Sequence, residues 1–291
     1  MAETRVISGG GGATTMLKAA LPVLPGVNLL PGIKKTGGEL PDITLRREDV
    51  AVQRGEVDRY AAVCGFPKKD VAPVPYLHML AFPLHMALMT DPLFPFPAVG
   101  SVHLENAITQ RRPVAIGEKV SLELRAGNLR ASTKGRAWDM DVTGTVGDEV
   151  VWESRSTYLR LGKGDKENGD PGLSLRPVDA TSAPWRLPDD LGRRYGAVSG
   201  DRNPIHLHPL TAKAFGFPRH IAHGMWSKAR CIAALENRLP DAVTVEVAFK
   251  KPIFLPGTVQ FGAEQRESGW DFVLADPRSG APHLLGRTAS L

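Results

Sequence analysis

The sequence predicts an α+β fold built from two copies of one unit, each with a long central helix wrapped by a curved antiparallel sheet. Three observations lead to this prediction: an apolar helix that must be enclosed by protein, alternating strands that follow it, and an internal repeat. The chain has 291 residues, of which 42% are hydrophobic and 23% charged. This composition is typical of a globular protein with one large domain or two small ones.

The predicted central helix of the first half covers residues 75–89, which are apolar on nearly every side and therefore must be enclosed by protein. Pro83 inside it should kink it. The apolar stretch is interrupted by His78 and His85 and is shorter than the ~20 residues that a membrane-spanning helix needs. We therefore predict no membrane partner.

The N-terminus shows neither the apolar core nor the cleavage site of a signal peptide, which predicts a cytoplasmic location.

The strands of both halves show alternating apolar and polar residues. In the first half, residues 138–143 alternate, and a tight turn at residues 147–148 separates them from a further strand. In the second half, residues 243–249 alternate, and residues 270–274 do so after a turn at residues 268–269. Both halves are thus predicted to form antiparallel sheet.

Two sequence matches indicate that the second half repeats the first. Residues 60–65 read YAAVCG and residues 195–200 read YGAVSG, 135 positions later. Residues 112–116 read RPVAI and residues 251–255 read KPIFL, 139 positions later, each followed by a valine at the same distance. Because the two matches occur in the same order at nearly the same spacing, they predict a duplicated unit.

Charge and cysteine content exclude several classes of protein. The net charge of +5 comes from 36 basic and 31 acidic residues, and the basic pairs are scattered rather than interleaved with aromatic residues in a stripe. Nucleic acid is therefore not a predicted partner. The mild surplus fits a phosphate-bearing small molecule, an acidic carrier protein or ordinary surface charge equally well. The two cysteines, Cys64 and Cys231, suggest neither a disulfide framework nor a metal site, and we expect both to be buried.

A polar cluster in the second half is the strongest chemical signal. Four of the eight histidines, with one aspartate and one asparagine, lie between residues 201 and 223. Asp201 alone could be a turn former or a helix cap, because glycine precedes it and Asn203-Pro204 follows. His206 lies five residues further on, so that a carboxylate and an imidazole can reach one cavity. Such a pair can remove a proton from water and deliver one near neutral pH.

Two other kinds of site compete with acid/base catalysis for these residues. His206 and His208, with Asp201 or His223, could bind a divalent metal ion. No HExxH motif is present and no cysteine joins the cluster, so we predict no metal. A serine hydrolase is also disfavoured, because Ser199 lacks the G-x-S-x-G frame of a nucleophile elbow.

The motif YGAVSGDRNPIHLHP at residues 195–209, with Gly216-Phe217 and IAHGM at residues 221–225, resembles the signature of MaoC-like dehydratases, the R-specific enoyl-CoA hydratases. That family has the hotdog fold, a long helix wrapped in an antiparallel sheet. The repeat extends the resemblance to nearly the whole chain beyond residue 40, so that the resemblance implies a double hotdog.

The resemblance also implies roles for individual residues. Asp201 and His206 would hold the catalytic water and share the proton transfers, and Asn203 would orient the site. The backbone N–H of Gly224, at the start of the central helix, would bind the thioester oxygen, as an unpaired helix N-terminus can. The reaction would need no cofactor. One departure is His208, where the family usually has Asp or Asn, which places the surrounding hydrogen bonding in question.

Further residues are candidates for substrate binding rather than chemistry. Ser199, Gly200 and His223 adjoin the catalytic pair in the motif. Basic residues near the catalytic helix could hold CoA phosphates or an acidic carrier protein, or could simply be solvated charges: Arg219, Lys228 and Arg230. Four apolar residues near the first helix, three of them methionines, could line an acyl pocket or could simply fill the core: Met79, Phe82, Met86 and Met89.

The first half lacks the catalytic loop. Ten positions separate Gly65 from Pro75, against eighteen between Gly200 and Pro218. Phe66 stands where Asp201 would be, and residues 80–81 are aligned with His223-Gly224. We therefore predict an N-terminal lead segment at residues 1–40, a degenerate hotdog at 41–160, a linker at 161–181, where the sequence is polar and glycine-rich, and a catalytic hotdog at 182–291.

The predicted function is reversible hydration of trans-2-enoyl thioesters to (R)-3-hydroxyacyl thioesters, carried by CoA or by acyl carrier protein. The alternative from another class is a non-catalytic acyl-thioester-binding or assembly subunit, and a metal hydrolase is third. Beyond the thioester substrate, a homodimer is the predicted assembly.

Overall fold

The computed structural model describes residues 3–7, 35 and 37–291. The predicted lead segment, residues 1–40, therefore lies largely outside the described residues. Its first described part is strand β1 (Glu3–Val6), which pairs in parallel with β2 (Ile43–Ala51).

The first repeat contains two helices and five long strands. In chain order they are β2, α1 (Arg54–Cys64), α2 (Tyr76–Thr90), β3 (Ser101–Gln110), β4 (Lys119–Ser132), β5 (Gly135–Val146) and β6 (Glu149–Leu161).

The second repeat has the same order of elements, with two short helices added before its central helix. They are β7 (Trp185–Leu187), α3 (Leu191–Ser199), α4 (Pro204–Leu207), α5 (Pro209–Ala214), α6 (Gly224–Leu235), a 3₁₀ turn (Glu236–Arg238), β8 (Val243–Phe249), β9 (Gly257–Arg266), β10 (Gly269–Ala275) and β11 (Pro282–Ser290).

The eleven strands of the described residues form one sheet in the order β1-β2-β4-β5-β6-β3-β8-β11-β10-β9-β7. All neighbours are antiparallel except β1 and β2. Helix α2 packs against β2, β4 and β5, and α6 packs against β10. This is the α+β arrangement that the sequence predicts.

The two repeats meet where β3 pairs with β8. Thr109 and Thr244 lie opposite each other in this pair, and their hydroxyl oxygens are 3.1 Å apart. The second sequence match, with its spacing of 139 residues, directly follows these two strands. Ala107 and Glu246 are 139 residues apart and also lie opposite each other in this pair. A local two-fold axis therefore passes between Ala107 and Glu246.

Both sequence matches correspond to equivalent structure. Helices α1 and α3 each end at a glycine in the left-handed conformation, with φ of 82° at Gly65 and 76° at Gly200. In the second match, Ala115 forms an antiparallel bridge with Val71, and Phe254 forms one with Ile221. The predicted duplication is confirmed by this correspondence.

The central helix α2 is buried along most of its length and continues past Pro83. Its observed range, Tyr76–Thr90, differs from the predicted one by a single residue at each end. Cys64 and Cys231 are buried and free, as predicted. None of the helices in residues 3–7, 35 and 37–291 is long and apolar enough to span a bilayer.

The segment between the repeats packs on the protein. Arg130 binds the carboxylate of Asp170 at 2.5 Å, and Leu175 packs with Val273 and Leu285 of the second repeat. The linker thus covers part of the sheet rather than standing free. The boundaries predicted for the repeats and linker stay predictions.

Candidate active site

The loop after α3 is held by a series of local hydrogen bonds. The hydroxyl of Ser199 accepts the N–H of Asp201 at 3.2 Å, and Asp201 Oδ1 accepts the N–H of Asn203 at 3.1 Å. Asn203 Oδ1 in turn accepts the N–H of Ile205 at 3.3 Å and so caps helix α4. Asp201 therefore does shape a turn, and its second oxygen remains for other contacts.

His206 lies on α4 and is buried, with 8% of its surface exposed. Its Nδ1 is 2.8 Å from the carbonyl oxygen of Ile221. Because a carbonyl can only accept a hydrogen bond, Nδ1 carries the proton and Nε2 keeps a lone pair. Burial lowers the pKa of His206, and the nearby Asp201 carboxylate opposes this shift. The ring is thus a neutral imidazole with Nε2 as a basic atom.

His223 ties the loop to the central helix. Its ring stacks on that of His206, with centroids 3.7 Å apart. Its Nε2 lies 3.0 Å from the backbone oxygen of Asp201, to which it donates, and 3.8 Å from the carboxylate oxygen Oδ2 of the same residue. Burial lowers the pKa of His223 to about 3, so this ring also stays neutral. By stacking on His206 and bonding to Asp201, His223 holds the Asp201 carboxylate and the His206 imidazole side by side.

Helix α6 begins at Gly224, directly after His223. The N–H groups of its first turn have no partner within the helix and carry a positive partial charge, which suits a developing oxyanion. A Cβ atom at Gly224 would lie only 3.1 Å from the ring of Phe249. Glycine therefore allows this aromatic ring to pack against the start of the helix.

Two glycines allow α3 to lie close to the loop that follows it, which carries Asp201 and His206. A Cβ at Gly192 would lie 1.9 Å from the backbone oxygen of His206, and one at Gly196 would lie 2.8 Å from that of Asp201. Sequence reasoning missed this role. The signal that could have revealed it is the four-residue spacing of the two glycines on one face of a short helix just before the motif.

Both repeats enclose one cavity of about 550 Å³, and the side chains of the site face it. The second repeat contributes Ser199, Asp201, Asn203, His206, His223 and Gly224, and the first repeat contributes Met79, Phe82, Met86 and Met89. Among the predicted binding residues, Gly200 does not line the cavity but ends α3. The predicted acyl pocket and the predicted catalytic pair thus share a single space.

The predicted carrier-binding residues are placed differently from one another. Arg219 is exposed, stands over the ring of Phe254 and donates to the backbone oxygen of Pro256 at 3.3 Å, outside the cavity lining. Arg230 is half-buried over the ring of Trp185, at 4.0 Å. The cavity is lined instead by three exposed basic residues: Arg202, Lys250 and Lys251. The sequence analysis does not assign them this role.

The prediction that Lys228 binds a carrier is wrong. Lys228 is fully buried, and its Nζ lies within hydrogen-bond distance of the carbonyl oxygens of Asn106 and Val245. Its side chain extends from α6 towards β3 and β8, at the seam where the two repeats meet. Such a residue cannot reach a phosphate in solvent.

Two of the four clustered histidines lie outside the site. His208 is exposed and caps α5, its Nδ1 accepting the N–H of Leu210 at 3.2 Å. It thereby takes the capping role that Asp or Asn commonly has. His220 is buried with its Nε2 2.8 Å from the backbone oxygen of Asp189. The hydrogen bonding around His206 therefore does not depend on His208.

In the first repeat, the alignment of residues 80–81 with His223-Gly224 is wrong. Helix α2 begins at Tyr76, so Pro75 and Tyr76 occupy the places of His223 and Gly224. The shorter loop brings the chain into the helix sooner. The correction strengthens the prediction that this repeat lacks the chemistry, because its helix start carries a tyrosine in place of glycine.

The cluster also bears on the metal alternative. Ligand atoms of Asp201, His206 and His223 lie within 4.8 Å of one another, so these three side chains could hold a divalent ion. His208, named in the predicted ligand set, is not among them. Nδ1 of His206 and Nε2 of His223 are already bonded to backbone oxygens, which leaves one nitrogen of each ring.

Comparison with known proteins gives consistent results. Residues 175–270 match the family model of the MaoC like domain. The chain is 37% identical over 282 residues to 3-hydroxyacyl-thioester dehydratase X of Mycobacterium tuberculosis, covering 96% of this chain and 98% of that protein. It is 34% identical over 65 residues to the (R)-specific enoyl-CoA hydratase of Aeromonas caviae, which covers 21% of this chain and 48% of that protein.

Solved structures show the same fold. The crystal structure of HtdX from Mycobacterium tuberculosis matches with a TM-score of 0.76 and 38% identity, covering 85% of this chain and all of that one. A MaoC-like dehydratase from Phytophthora capsici matches with a TM-score of 0.72 at 19% identity, again over 85% of this chain and 95% of that one. These likenesses confirm the predicted double hotdog. The extent of the match to the mycobacterial dehydratase, together with the domain match over residues 175–270, shows that this chain belongs to the MaoC-like dehydratase family.

Proposed function

We propose that this protein catalyses the reversible hydration of trans-2-enoyl thioesters to (R)-3-hydroxyacyl thioesters, with Asp201 and His206 as its catalytic pair. Family membership confirms the predicted activity class, hydration of enoyl thioesters and dehydration of 3-hydroxyacyl thioesters. The observation that carries the residue assignment is the shared cavity, in which Asp201, the neutral His206 and the start of α6 meet.

In the hydration direction, a water molecule held between the Asp201 carboxylate and Nε2 of His206 loses a proton to one of them. Its oxygen attacks C3 of the enoyl group, and the electron pair of the double bond moves towards the thioester carbonyl. The oxyanion that forms there accepts a hydrogen bond from the N–H of Gly224, where the helix start favours negative charge.

The member of the pair that took this proton then returns it to C2, directly or through its partner, so that both groups end in their starting states. The sum of these steps adds OH at C3 and H at C2, so one water is consumed and no electrons leave the substrate. The reaction therefore balances without a redox cofactor. Asn203 acts by positioning, since its backbone N–H binds Asp201 and its side chain caps the helix that carries His206.

Substrate binding is proposed to use both repeats. The apolar side chains of Met79, Phe82 and Met86 would surround the acyl chain, since methionine adapts to irregular shapes. The exposed Lys250 and Lys251 would face the phosphates of CoA or the acidic surface of an acyl carrier protein, with Arg219 further out. A homodimer of the whole chain remains part of the proposal.

An absorbance assay tests this function directly. Hydration of crotonyl-CoA and of dodecenoyl-CoA removes the conjugated enoyl-thioester absorption, and chiral analysis of the product gives its configuration. We expect turnover to the R product. Tight binding of both thioesters without turnover would instead support an acyl-binding subunit, and a stoichiometric divalent metal in active protein would favour the metal alternative.

A further inference from the structure

The first-repeat wall of the cavity carries a second group of polar rings, which the proposed mechanism does not use. His78 and His85 lie seven residues apart on α2, His103 lies on β3 and Tyr158 on β6. Their ring centroids are 5.2 Å apart for His78 and His85, 6.1 Å for His78 and His103, and 4.7 Å for His103 and Tyr158. We call these four residues the ring cluster.

Several atoms of the ring cluster are buried without a partner. Within the part of the chain that the structure describes, Nδ1 of His78, Nε2 of His85 and Nε2 of His103 have no hydrogen bond. The hydroxyl of Tyr158 lies 3.3 Å from Nδ1 of His85. Buried polar atoms in proteins nearly always have a partner, so three unpaired imidazole nitrogens in one place call for one.

Three members of the ring cluster line the cavity: His78, His103 and Tyr158. They adjoin the apolar side chains proposed to surround the acyl chain. Phe249 lies between the ring cluster and the reacting end, because its ring is 5.1 Å from that of His103 and also packs against Gly224. A bound acyl chain would therefore reach the ring cluster beyond Phe249, away from the thioester.

The charge state of the ring cluster selects the chemistry of its ligand. Burial lowers the pKa of both His85 and His103 to about 3, and holds that of His78 well below its ordinary value. The nearby Lys228 adds to the effect at His78 and His103, and its own hydrogen bonds go to Asn106 and Val245. Neutral imidazoles and a phenol suit a neutral oxygen better than a carboxylate, which would bring an unpaired charge into the interior.

We propose that His78, His103 and Tyr158 form a recognition site for a hydroxyl or ketone oxygen on the acyl chain, so that the preferred substrates are oxygenated enoyl thioesters. This inference rests on the proposed function for the identity of the substrate. It adds that the chain-binding part of the cavity is not purely apolar. A plain alkyl chain offers the imidazole nitrogens no hydrogen-bond partner.

The test compares dodecenoyl-CoA with matched dodecenoyl-CoA probes that carry one hydroxyl or one ketone at successive carbons of the chain. At the best position, kcat/KM should exceed that of the plain substrate roughly three- to tenfold for each hydrogen bond formed. In His103→Phe and Tyr158→Phe, the ratio of oxygenated to plain substrate should fall towards one. In the control Met86→Leu, which alters the apolar wall, the ratio should stay at the wild-type value.

The inference is overturned if the oxygenated probes at every position are turned over no better than the plain one, while the proposed function stands. Failure of the function is seen separately, as no turnover of any probe. In that case calorimetry with the saturated dodecanoyl-CoA and its hydroxy and keto analogues decides. Tighter binding of an oxygenated analogue, lost in His103→Phe, supports the site, and equal binding of all analogues contradicts it.

Discussion

The Nζ atom of Lys228 lies 2.5 Å from Oδ1 of Asn106, which joins the central helix of the second repeat to a strand of the first. The same ammonium also contacts the carbonyl oxygens of Asn106 and Val245, at 3.1 and 3.0 Å. The amide of Asn106 donates in turn to the hydroxyls of Ser154 and Ser156. The seam between the repeats therefore holds a polar network that is satisfied throughout.

Replacing Lys228 should weaken the whole protein rather than the catalytic step alone. In Lys228→Ala, three acceptor contacts lose their donor and a cavity is left, so the free energy of unfolding should fall by about 2–4 kcal/mol. Chemical denaturation measures this change. The control is Lys213→Ala, since Lys213 is exposed. Equal stability of the two variants would show that the network contributes little.

Replacing either member of the catalytic pair should abolish most turnover. We expect Asp201→Asn and His206→Ala to lose ~10²–10⁴ in kcat while they remain folded, because each removes an acid/base group. Circular dichroism checks the fold. His208→Asn is the matched control, because asparagine can also cap α5. Near-native turnover in either folded variant of the pair would refute the assignment.

The close approach of α3 to His206 can be tested at Gly192. A Cβ there would lie 1.9 Å from the backbone oxygen of His206, so Gly192→Ala must displace the helix or the loop. Such overpacking costs about 1–3 kcal/mol and outweighs the better helix propensity of alanine. We expect a lower Tm together with reduced kcat. Gly127→Ala, where no atom lies within 4 Å, should change kcat little, and identical behaviour of both would contradict the packing argument.

Chain-length preference tests the apolar wall of the cavity. Burial of each additional CH₂ contributes ~0.8 kcal/mol, so kcat/KM should rise about fourfold per methylene well beyond four carbons, until the cavity is filled. Met86→Trp should penalise dodecenoyl-CoA and spare crotonyl-CoA. Ala81→Leu serves as a control, since Ala81 is fully buried on the same helix but outside the lining. It should lower the rates with both substrates equally, and a wild-type preference for crotonyl-CoA would exclude the pocket.

The buried histidines should make the protein sensitive to acid. His85 has its pKa lowered by burial from 6.5 to about 3, so between these values the unfolded chain binds a proton that the folded protein does not. Above pH 6.5 the ring is neutral in both states, so it does not lower the free energy of unfolding. Below pH 6.5 the free energy of unfolding falls by about 1.4 kcal/mol per pH unit as the pH drops towards 3. Burial shifts the pKa of His103 and His223 in the same direction.

We therefore expect Tm to fall steeply from pH 7 to pH 5, measured by differential scanning calorimetry. In His85→Phe the slope of this fall should be smaller, because one proton-binding difference is gone. The exposed His208 provides the control, and His208→Asn should keep the wild-type slope. If all three proteins show the same slope, the ring of His85 is protonated in the folded state as readily as in the unfolded chain.

Sequence reasoning located what lies within one short loop and missed what distant strands contribute. That Asp201, His206 and Gly224 line one cavity could be predicted, because a turn signal, a histidine cluster and a helix start lie close together in the chain. The same could not be predicted of His103 and Tyr158, because each is one of several polar residues on a strand, and their meeting with His78 depends on strand order. Lys228 was misplaced for a related reason: a charged residue suggests solvent unless its buried partners are known.

The two-fold axis within the β3–β8 pair has a consequence for how such a protein can diverge. When two identical chains pair about a two-fold axis, any mutation that alters one half alters the other, so both sites must keep the same residues. Here the axis lies within a single chain, and each half is encoded separately. One copy can then shorten its loop and change its helix start while the other retains the proton-transfer groups. Covalent fusion across this strand pair thus exchanges two equivalent sites for one site whose walls can evolve independently.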